Sequence, residues 1–426
     1  MRGVRLSRWS MSYFAAAVVS LLLAELLWAS GLANPLADIG NPWVLVGVHL
    51  TTLGFLTLLM LGALHQFVPV LTETELASQA ASGATWFAVA GGLLFMLLGF
   101  LALPGGALPE TPWLLPVGGS LVILGLLVAA VNLGVTLARA WPWTLSAWLV
   151  ATGLVFLLAT VAAGLLLALS LAAPQLLSLR LLAVLAGRGL TAHVIGGIGG
   201  WLTLTAMGVA YKLLAMFTLS DEHRGALGWT AYAVTGAGLA VAWAGRWLGT
   251  NRFDGLAWAA VLVGLAAYVV DMRALYQTRK RRPLELNARY GLIPLGFLAS
   301  LIVVGVVLYA EGMTPRAEIA VVFWALYGWV GGLALTQLYK IVPFLTWLHA
   351  FGQRLGKGRV PRVQDLVDER RDHYAYLVYF AAVALGGVFL SLGWFGAFRV
   401  VLALAFLATL DVARALYHGA HPALSG

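Results

Sequence analysis

Residues 48–71 read VHLTTLGFLTLLMLGALHQFVPVL, an apolar run of 24 residues with no Asp, Glu, Lys or Arg. A helix needs about 20 such residues to cross the hydrocarbon core of a bilayer. The run is therefore long enough to span a membrane. It also carries two histidines, and ionisable side chains inside a span are candidates for function.

The rest of the chain has the same apolar character. Of its 426 residues, 61% are hydrophobic and 10% are charged, whereas a soluble domain has about 45–50% and about 25%. This composition excludes a water-soluble domain, a nucleic-acid-binding domain and a disordered protein. The net charge of +9 then indicates basic cytoplasmic loops and not a nucleic-acid partner. The chain has no cysteine, which excludes disulfides, thiolate metal sites, iron–sulfur clusters and covalent haem attachment.

The hydropathy pattern predicts an all-α integral membrane protein with about twelve spans in one transmembrane domain, 1–426. The basic start is followed by an apolar run of span length, so no cleavable signal peptide is expected. The spans are predicted at 12–33, 43–71, 83–103, 114–138, 142–172, 189–219, 227–248, 255–277, 290–311, 316–350, 374–395 and 396–418.

The positions of the basic residues predict the orientation. With the N-terminus inside, the inner segments hold 18 of the 26 Lys and Arg, the outer segments hold six, and two lie within spans. Cytoplasmic loops carry the excess of Lys and Arg in membrane proteins. We therefore expect a multi-pass protein of the cytoplasmic (inner) membrane with both termini in the cytoplasm.

Three spans share an ending in which a ring precedes a long polar residue and a threonine follows the ring by seven positions. The endings are His65–Thr72 (HQFVPVLT), Tyr211–Thr218 (YKLLAMFT) and Tyr339–Thr346 (YKIVPFLT). They are 146 and 128 residues apart, which is four spans each time. This repeat predicts three pseudo-equivalent four-helix arcs, about 1–140, 141–282 and 283–426. The alternative is chance similarity among apolar helix ends.

His49 and His193 lie at a similar depth near the outer starts of spans 2 and 6. Two neutral imidazoles on facing helices hold a b-type haem without any covalent attachment. The pair therefore predicts one haem b. The alternative is that each histidine is a buried hydrogen-bonding group. His65 is a separate candidate metal ligand, because 16 residues of helix place it about 24 Å from His49.

Small residues in the same two spans offer a slot for a porphyrin. The candidates are Gly54 in span 2 with Gly197 and Gly200 in span 6. The alternative is close helix packing, for which membrane bundles also use glycine.

Two lysines, Lys212 and Lys340, occupy the same repeat position at the inner ends of their spans. They either reach the inner headgroups or join Tyr211, Tyr339, His65 and Gln66 in a polar cluster that binds an anion or a haem propionate.

Several other ionisable residues have simpler interpretations. Glu25, in the middle of span 1, is either protonated and hydrogen-bonded or part of a proton path. Asp271 with Arg273, and Asp411 with Arg414, are predicted to be interfacial charges. The remaining histidines are predicted not to be ligands: His223, His349, His373, His418 and His421.

Twelve spans in three arcs, with a His near the start of span 2 and a proline-containing ending about 20 residues later, resemble the catalytic subunit of haem–copper oxidases and nitric oxide reductases. In that superfamily the span 2 histidine binds the low-spin haem, and His49 matches it. However, residues 316–338 lack the His-x-His pair, 227–248 lack the two copper histidines, and His193 alone stands at the span 6 copper position. The resemblance therefore implies a relative without a complete oxygen- or nitric-oxide-reducing site and without a full copper ligand set.

A more specific resemblance is to the NnrS-like family of twelve-span haem and copper proteins linked to nitric oxide stress. The stretch from His193 to Leu204 (HVIGGIGGWLTL) is similar to one signature of that family, and His49 to Gly62 to another. The basic-Gly-His ending of the family is replaced here by Tyr211–Leu214 (YKLL).

These resemblances lead to the expected function. We expect a membrane b-type haem protein for electron transfer or nitric oxide handling, with a respiratory-chain protein as partner and nitric oxide as a small ligand. Whether it is an enzyme, and through which catalytic residues, stays open. The alternatives are a haem-free assembly or structural subunit and a secondary transporter.

Overall fold

A computed structural model describes residues 8–221, 225–354 and 360–421, and throughout these ranges the chain forms helices and no strand. The predicted all-α fold class is confirmed. The long helices are α1 (Ser10–Ser30), α2 (Pro42–Thr72), α3 (Gln79–Leu101), α4 (Leu114–Ala138), α5 (Leu145–Ala172), α6 (Leu179–Thr218), α7 (Ala226–Leu248), α8 (Asp254–Gln277), α9 (Leu286–Glu311), α10 (Pro315–Phe351), α11 (Glu369–Leu392) and α12 (Phe395–Ala420).

All of these helices except α7 are both long and apolar enough to cross a membrane, which gives eleven candidate spans in the described residues. The chain is therefore a multi-pass membrane protein, and a lipid bilayer is its surroundings. The predicted break before 396 is present, because α11 ends at Gly393 in a left-handed conformation and α12 begins at Phe395.

The helix starts follow from local sequence. A polar side chain before the first turn accepts a hydrogen bond from a backbone N–H that has no partner within the helix. At α2 the cap is Asn41, followed by Pro42 at the first helical position, where a missing N–H does no harm. The other side-chain caps at the starts of long helices are Ser78, Thr144, Ser178, Thr314 and Asp368.

The helices α2, α6 and α10 each change from α-helical to π-helical hydrogen bonding near their middle. The three central π segments are Leu50–Thr57, Ile195–Thr203 and Trp324–Gly331. Their last residues are 146 and 128 positions apart, the same offsets as in the repeated endings. π-Helical turns are rare and occur frequently at functional sites.

The C-terminal ends of α2 and α6 also have the same backbone conformation at equivalent positions. Each helix stops at a non-glycine residue in the left-handed conformation, Glu73 (φ 52°) and Leu219 (φ 53°), again 146 positions apart. The threonine before each stop bonds back to a carbonyl four residues earlier. In α10 the equivalent Thr346 makes the same bond, but that helix continues to Phe351.

The centre of the bundle lies where the three π segments meet. Trp201 Nε1 donates to Thr57 Oγ1 (3.1 Å), which joins α6 to α2. The hydroxyls of Tyr327 and Thr51 are 2.8 Å apart and join α10 to α2. The three π segments therefore connect to one another by hydrogen bonds between side chains in an otherwise apolar core.

Candidate functional site

The π segments divide α2, α6 and α10 into two halves. We call the end of the bundle where these helices begin the histidine end, because it holds His49 and His193. The opposite end, where the repeated endings lie, is the tyrosine end. The two ends carry different polar groups.

His49 is the last residue before the π segment of α2. Its Nδ1 lies 2.8 Å from the carbonyl oxygen of Leu45, one turn earlier in the same helix. A carbonyl can only accept, so Nδ1 carries the hydrogen and Nε2 carries the lone pair. The ring also packs against Phe100 of α3, with centroids 4.7 Å apart.

His193 stands two residues before the π segment of α6. Its Nδ1 lies 2.9 Å from the carbonyl oxygen of Thr160 in α5, so the same tautomer follows. The ring covers Gly164, where an added Cβ would lie 2.9 Å from the imidazole. A glycine at 164 therefore makes room for this orientation of the ring.

The two imidazoles lie at the same end of the bundle, one and two residues before the π segments of α2 and α6. Both residues keep part of their surface accessible, and neither Nε2 has a hydrogen-bond partner among the described residues. Two basic ring nitrogens are thus oriented by backbone carbonyls, as the second shell orients the histidine ligands of metals.

The candidate slot glycines make close contacts with side chains of neighbouring helices. An added Cβ on Gly54 would lie 2.7 Å from Ser20, one on Gly197 would lie 3.3 Å from Thr160, and one on Gly200 would overlap Phe156. These glycines set the spacing between helices, and the side chains of Ser20, Thr160 and Phe156 fill the space beside them.

At the tyrosine end, two tyrosines of the repeat donate to buried carboxylates. Tyr211 donates to Asp271 of α8 (2.9 Å), and Tyr339 donates to Asp372 of α11 (2.6 Å). Asp271 is fully buried, so its prediction as an interfacial charge is wrong. It lies on the face of α8 that packs toward Tyr211. Arg414 does pair with Asp411 at the edge of the bundle.

Lys340 forms an ion pair with Glu285 (2.6 Å), and neither side chain is more than 16% exposed. Arg281 and Gln364 also bond to this carboxylate. Lys340 therefore points to an internal acid and not to the headgroups.

Gln364 reaches Glu285 from a short helical turn, Val363–Leu366. In that loop Asp365 accepts hydrogen bonds from the backbone N–H and the guanidinium of Arg362. These bonds, the backbone one more than the other, lower the pKa of the Asp365 carboxyl below its ordinary value. This capping bond orders the loop that covers Lys340.

Three members of the predicted polar cluster remain to be placed: Gln66, His65 and Lys212. Gln66 donates to Ser10 of α1 (2.8 Å). His65 is fully buried against the ring of Tyr13, and neither of its nitrogens has a hydrogen-bond partner in the described part of the chain. Gln66 and His65 thus both contact α1, and Lys212 belongs to the same turn as Tyr211.

The histidines predicted not to be ligands have simple surroundings. His349, His373 and His421 each direct Nδ1 to a carbonyl of their own helix, and His418 contacts Tyr417. His223 lies outside the described residues. Across 8–221, 225–354 and 360–421, no group of three or more His, Asp or Glu side chains is placed to hold a metal ion.

Sequence reasoning missed Tyr327, Asp271, Asp372 and Glu285. One signal was available for Asp271, since DMRALY at 271–276 resembles DVARALY at 411–417 in the equivalent span of the next unit. Tyr327 had no such signal, because its role depends on the π segment that aims it at Thr51.

We compared the sequence with models of protein families and with curated proteins. Neither comparison finds a match.

Proposed function

We propose that this chain is a membrane b-type haem protein whose one haem is bound between His49 and His193. The observation that carries the proposal is the paired imidazoles at the histidine end. Both rings direct Nδ1 to a backbone carbonyl, and both leave Nε2 free among the described residues. The alternative, two histidines that only satisfy buried polar groups, does not account for two Nε2 atoms without a partner at the same end of the bundle.

The donor set fits a haem iron. Neutral imidazole is a usual axial ligand, and a hydrogen bond from the other ring nitrogen fixes its orientation and raises its basicity. The accessible edges of both rings provide the side from which a flat group approaches. Phe100 beside His49 adds an apolar contact for a macrocycle.

A bound haem would supply a reversible one-electron change at this site. His49 and His193 would both hold the haem iron, and a site held by two histidines favours electron transfer over binding of a gas. Nitric oxide handling would require one of them to leave. The lack of the span 10 and span 7 histidines argues against a complete oxygen reductase.

The arrangement in the membrane follows from the repeat and the charges. The shared offsets of endings and π segments support three arcs around α2, α6 and α10. The basic residues support cytoplasmic termini in the inner membrane, with the histidine end on the outer side. A reporter that is active only in the cytoplasm, fused after residue 421, should be active. An inactive reporter in a stable fusion would contradict this orientation.

The haem is tested by absorption spectroscopy. Protein purified from haem-replete cells should give a b-type reduced-minus-oxidised spectrum, and His49→Ala and His193→Ala should each abolish it. His349→Ala is the matched control, because its Nδ1 also lies 2.9 Å from a carbonyl one turn earlier. It should keep the spectrum.

Two outcomes would contradict the proposal. One is a colourless wild-type protein, which would favour the haem-free subunit. The other is a full spectrum in folded His49→Ala, since the ligand would then lie elsewhere.

A further inference from the structure

Glu25 is the acid of α1 and is fully buried. Helix α1 packs there against α12 and against the π segment of α2. Thr409 of α12 donates its hydroxyl to Glu25 Oε1 (3.0 Å). The other oxygen, Oε2, is buried and has no hydrogen-bond partner among the described residues.

Two tyrosine hydroxyls in this part of the core, those of Tyr327 and Tyr379, direct their hydrogens away from the acid. Both lie against the same part of α1, since Trp28, three residues after Glu25, donates to Tyr327 (3.0 Å). Tyr379 donates to the backbone carbonyl of Tyr327 (3.0 Å). The single hydroxyl hydrogen of Tyr379 is therefore not available to Glu25.

Tyr327 is committed in the same way. Thr51 donates to the carbonyl of Gly47 (2.9 Å), so in its contact with Tyr327 the threonine accepts and the tyrosine donates. The indole N–H of Trp28 donates to the same tyrosine oxygen (3.0 Å). The chain of donors runs from Trp28 through Tyr327 to Thr51, and it bypasses Glu25.

No cation pairs with Glu25 in the described ranges. Arg399 lies at the C-terminal end of α1 and donates its guanidinium hydrogens to the carbonyls of Ala29 and Ser30. Glu285 is a useful contrast, because that buried acid has both Lys340 and Arg281 as partners. An ionised carboxylate buried without a partner is so unfavourable that such groups become neutral instead.

We propose that Glu25 is an intramembrane proton-binding site. It holds one proton on Oε2, while Oε1 is the acid carbonyl that accepts from Thr409. The site is closed, since the carboxyl has no accessible surface and exchange with water requires α1 to separate from α12. This proton site does not depend on haem binding and goes beyond the proposed function.

Infrared spectroscopy of the full chain in detergent at neutral pH tests the proposal. The wild type should show the C=O stretch of a protonated carboxyl that is missing in Glu25→Gln. Asp271→Asn, which removes another fully buried acid, is the matched control and should keep this band. An unchanged carboxylic-acid region in folded Glu25→Gln would overturn the proposal.

Folding of the variants gives a second readout. Glutamine has the shape of the neutral acid, so Glu25→Gln should melt at the wild-type temperature. If Glu25→Gln failed to fold while Glu25→Asp folded, a negative charge would be required and the proposal would be wrong.

Thr409→Val tests the assignment of the two oxygens. Without its donor, the acid carbonyl should absorb at a higher frequency. Thr336→Val is the control, because that buried hydroxyl bonds only to its own helix, and it should leave the band in place. An unmoved band in Thr409→Val would show that Oε1 is not the carbonyl that accepts this bond.

Discussion

The two ends of the bundle bury polar side chains by different means. At the histidine end, His49, His193 and Glu25 bond to backbone carbonyls or to a hydroxyl. At the tyrosine end, Glu285 has two cationic partners and Asp372 has a tyrosine and an arginine. Neutral groups with a free nitrogen or oxygen can accept a ligand, whereas satisfied charges mainly fix how helices meet. The difference supports the haem site proposed at the histidine end, and His65 is an exception at the tyrosine end, because both of its nitrogens lack a hydrogen-bond partner among the described residues.

The largest effect on stability is expected at the tyrosine end. Lys340→Met leaves Glu285 buried with one cation fewer, and breaking a buried ion pair destabilises a protein by about 3–5 kcal/mol. The free energy of unfolding, from urea titration in mild detergent, measures it. Lys280→Met is the control, because its pair with Asp221 is exposed, and it should change little.

The double variant Lys340→Met with Glu285→Gln sharpens this test. Removing both charges together should recover most of the lost stability, because no acid stays buried without its lysine and Arg281, which loses its partner, is 30% exposed. A double variant as unstable as Lys340→Met would mean that packing of the lysine stem, and not its charge, stabilises this region.

A smaller loss is expected for Tyr339→Phe. It removes the 2.6 Å bond to Asp372, and hydrogen bonds to charged groups contribute about 1.5–3 kcal/mol. Tyr309→Phe, at an exposed tyrosine of α9, should leave the same unfolding curve unchanged. Equal losses in both variants would contradict the role given to the Asp372 contact.

The smallest loss is expected between the two ends. Thr51→Val removes one of the two partners of the Tyr327 hydroxyl, and a neutral hydrogen bond contributes about 1 kcal/mol. Thr52→Val is the neighbouring control, because its hydroxyl bonds only to Val48 of its own helix. If Thr52→Val lowered the free energy of unfolding as much as Thr51→Val, the hydrogen bond between α2 and α10 would contribute no specific stability.

The sequence was sufficient for the spans, because their length and apolar character follow from the bilayer. It was also sufficient to relate the endings of α2, α6 and α10, whose offsets recur in the π segments. The equivalence of His49 and His193 was predicted from the repeat, and they lie one and two residues before their π segments, although α6 begins at Leu179, ten residues before the predicted start at 189.

The sequence did not predict which side chains of neighbouring helices contact each other. Which residues of α8 or α11 meet Tyr211 or Tyr339 depends on how each helix is rotated about its axis, and an apolar span carries almost no signal for that rotation. Asp271 shows the result, since its position near a span end suggested an interfacial charge although it faces inward. The π segments were equally hidden, because their backbone angles differ only slightly from those of an α-helix.

The π segments have a further consequence for how such a chain can change. Each of their hydrogen bonds encloses one residue more than an α-helical bond, and one residue corresponds to about 100° of rotation. Converting Leu50–Thr57 to an α-helix of the same length would therefore turn His49 by about 100° relative to His65 for each extra residue taken up. The directions of His49 and His193 relative to the tyrosine end thus depend on two separate π segments, Leu50–Thr57 and Ile195–Thr203.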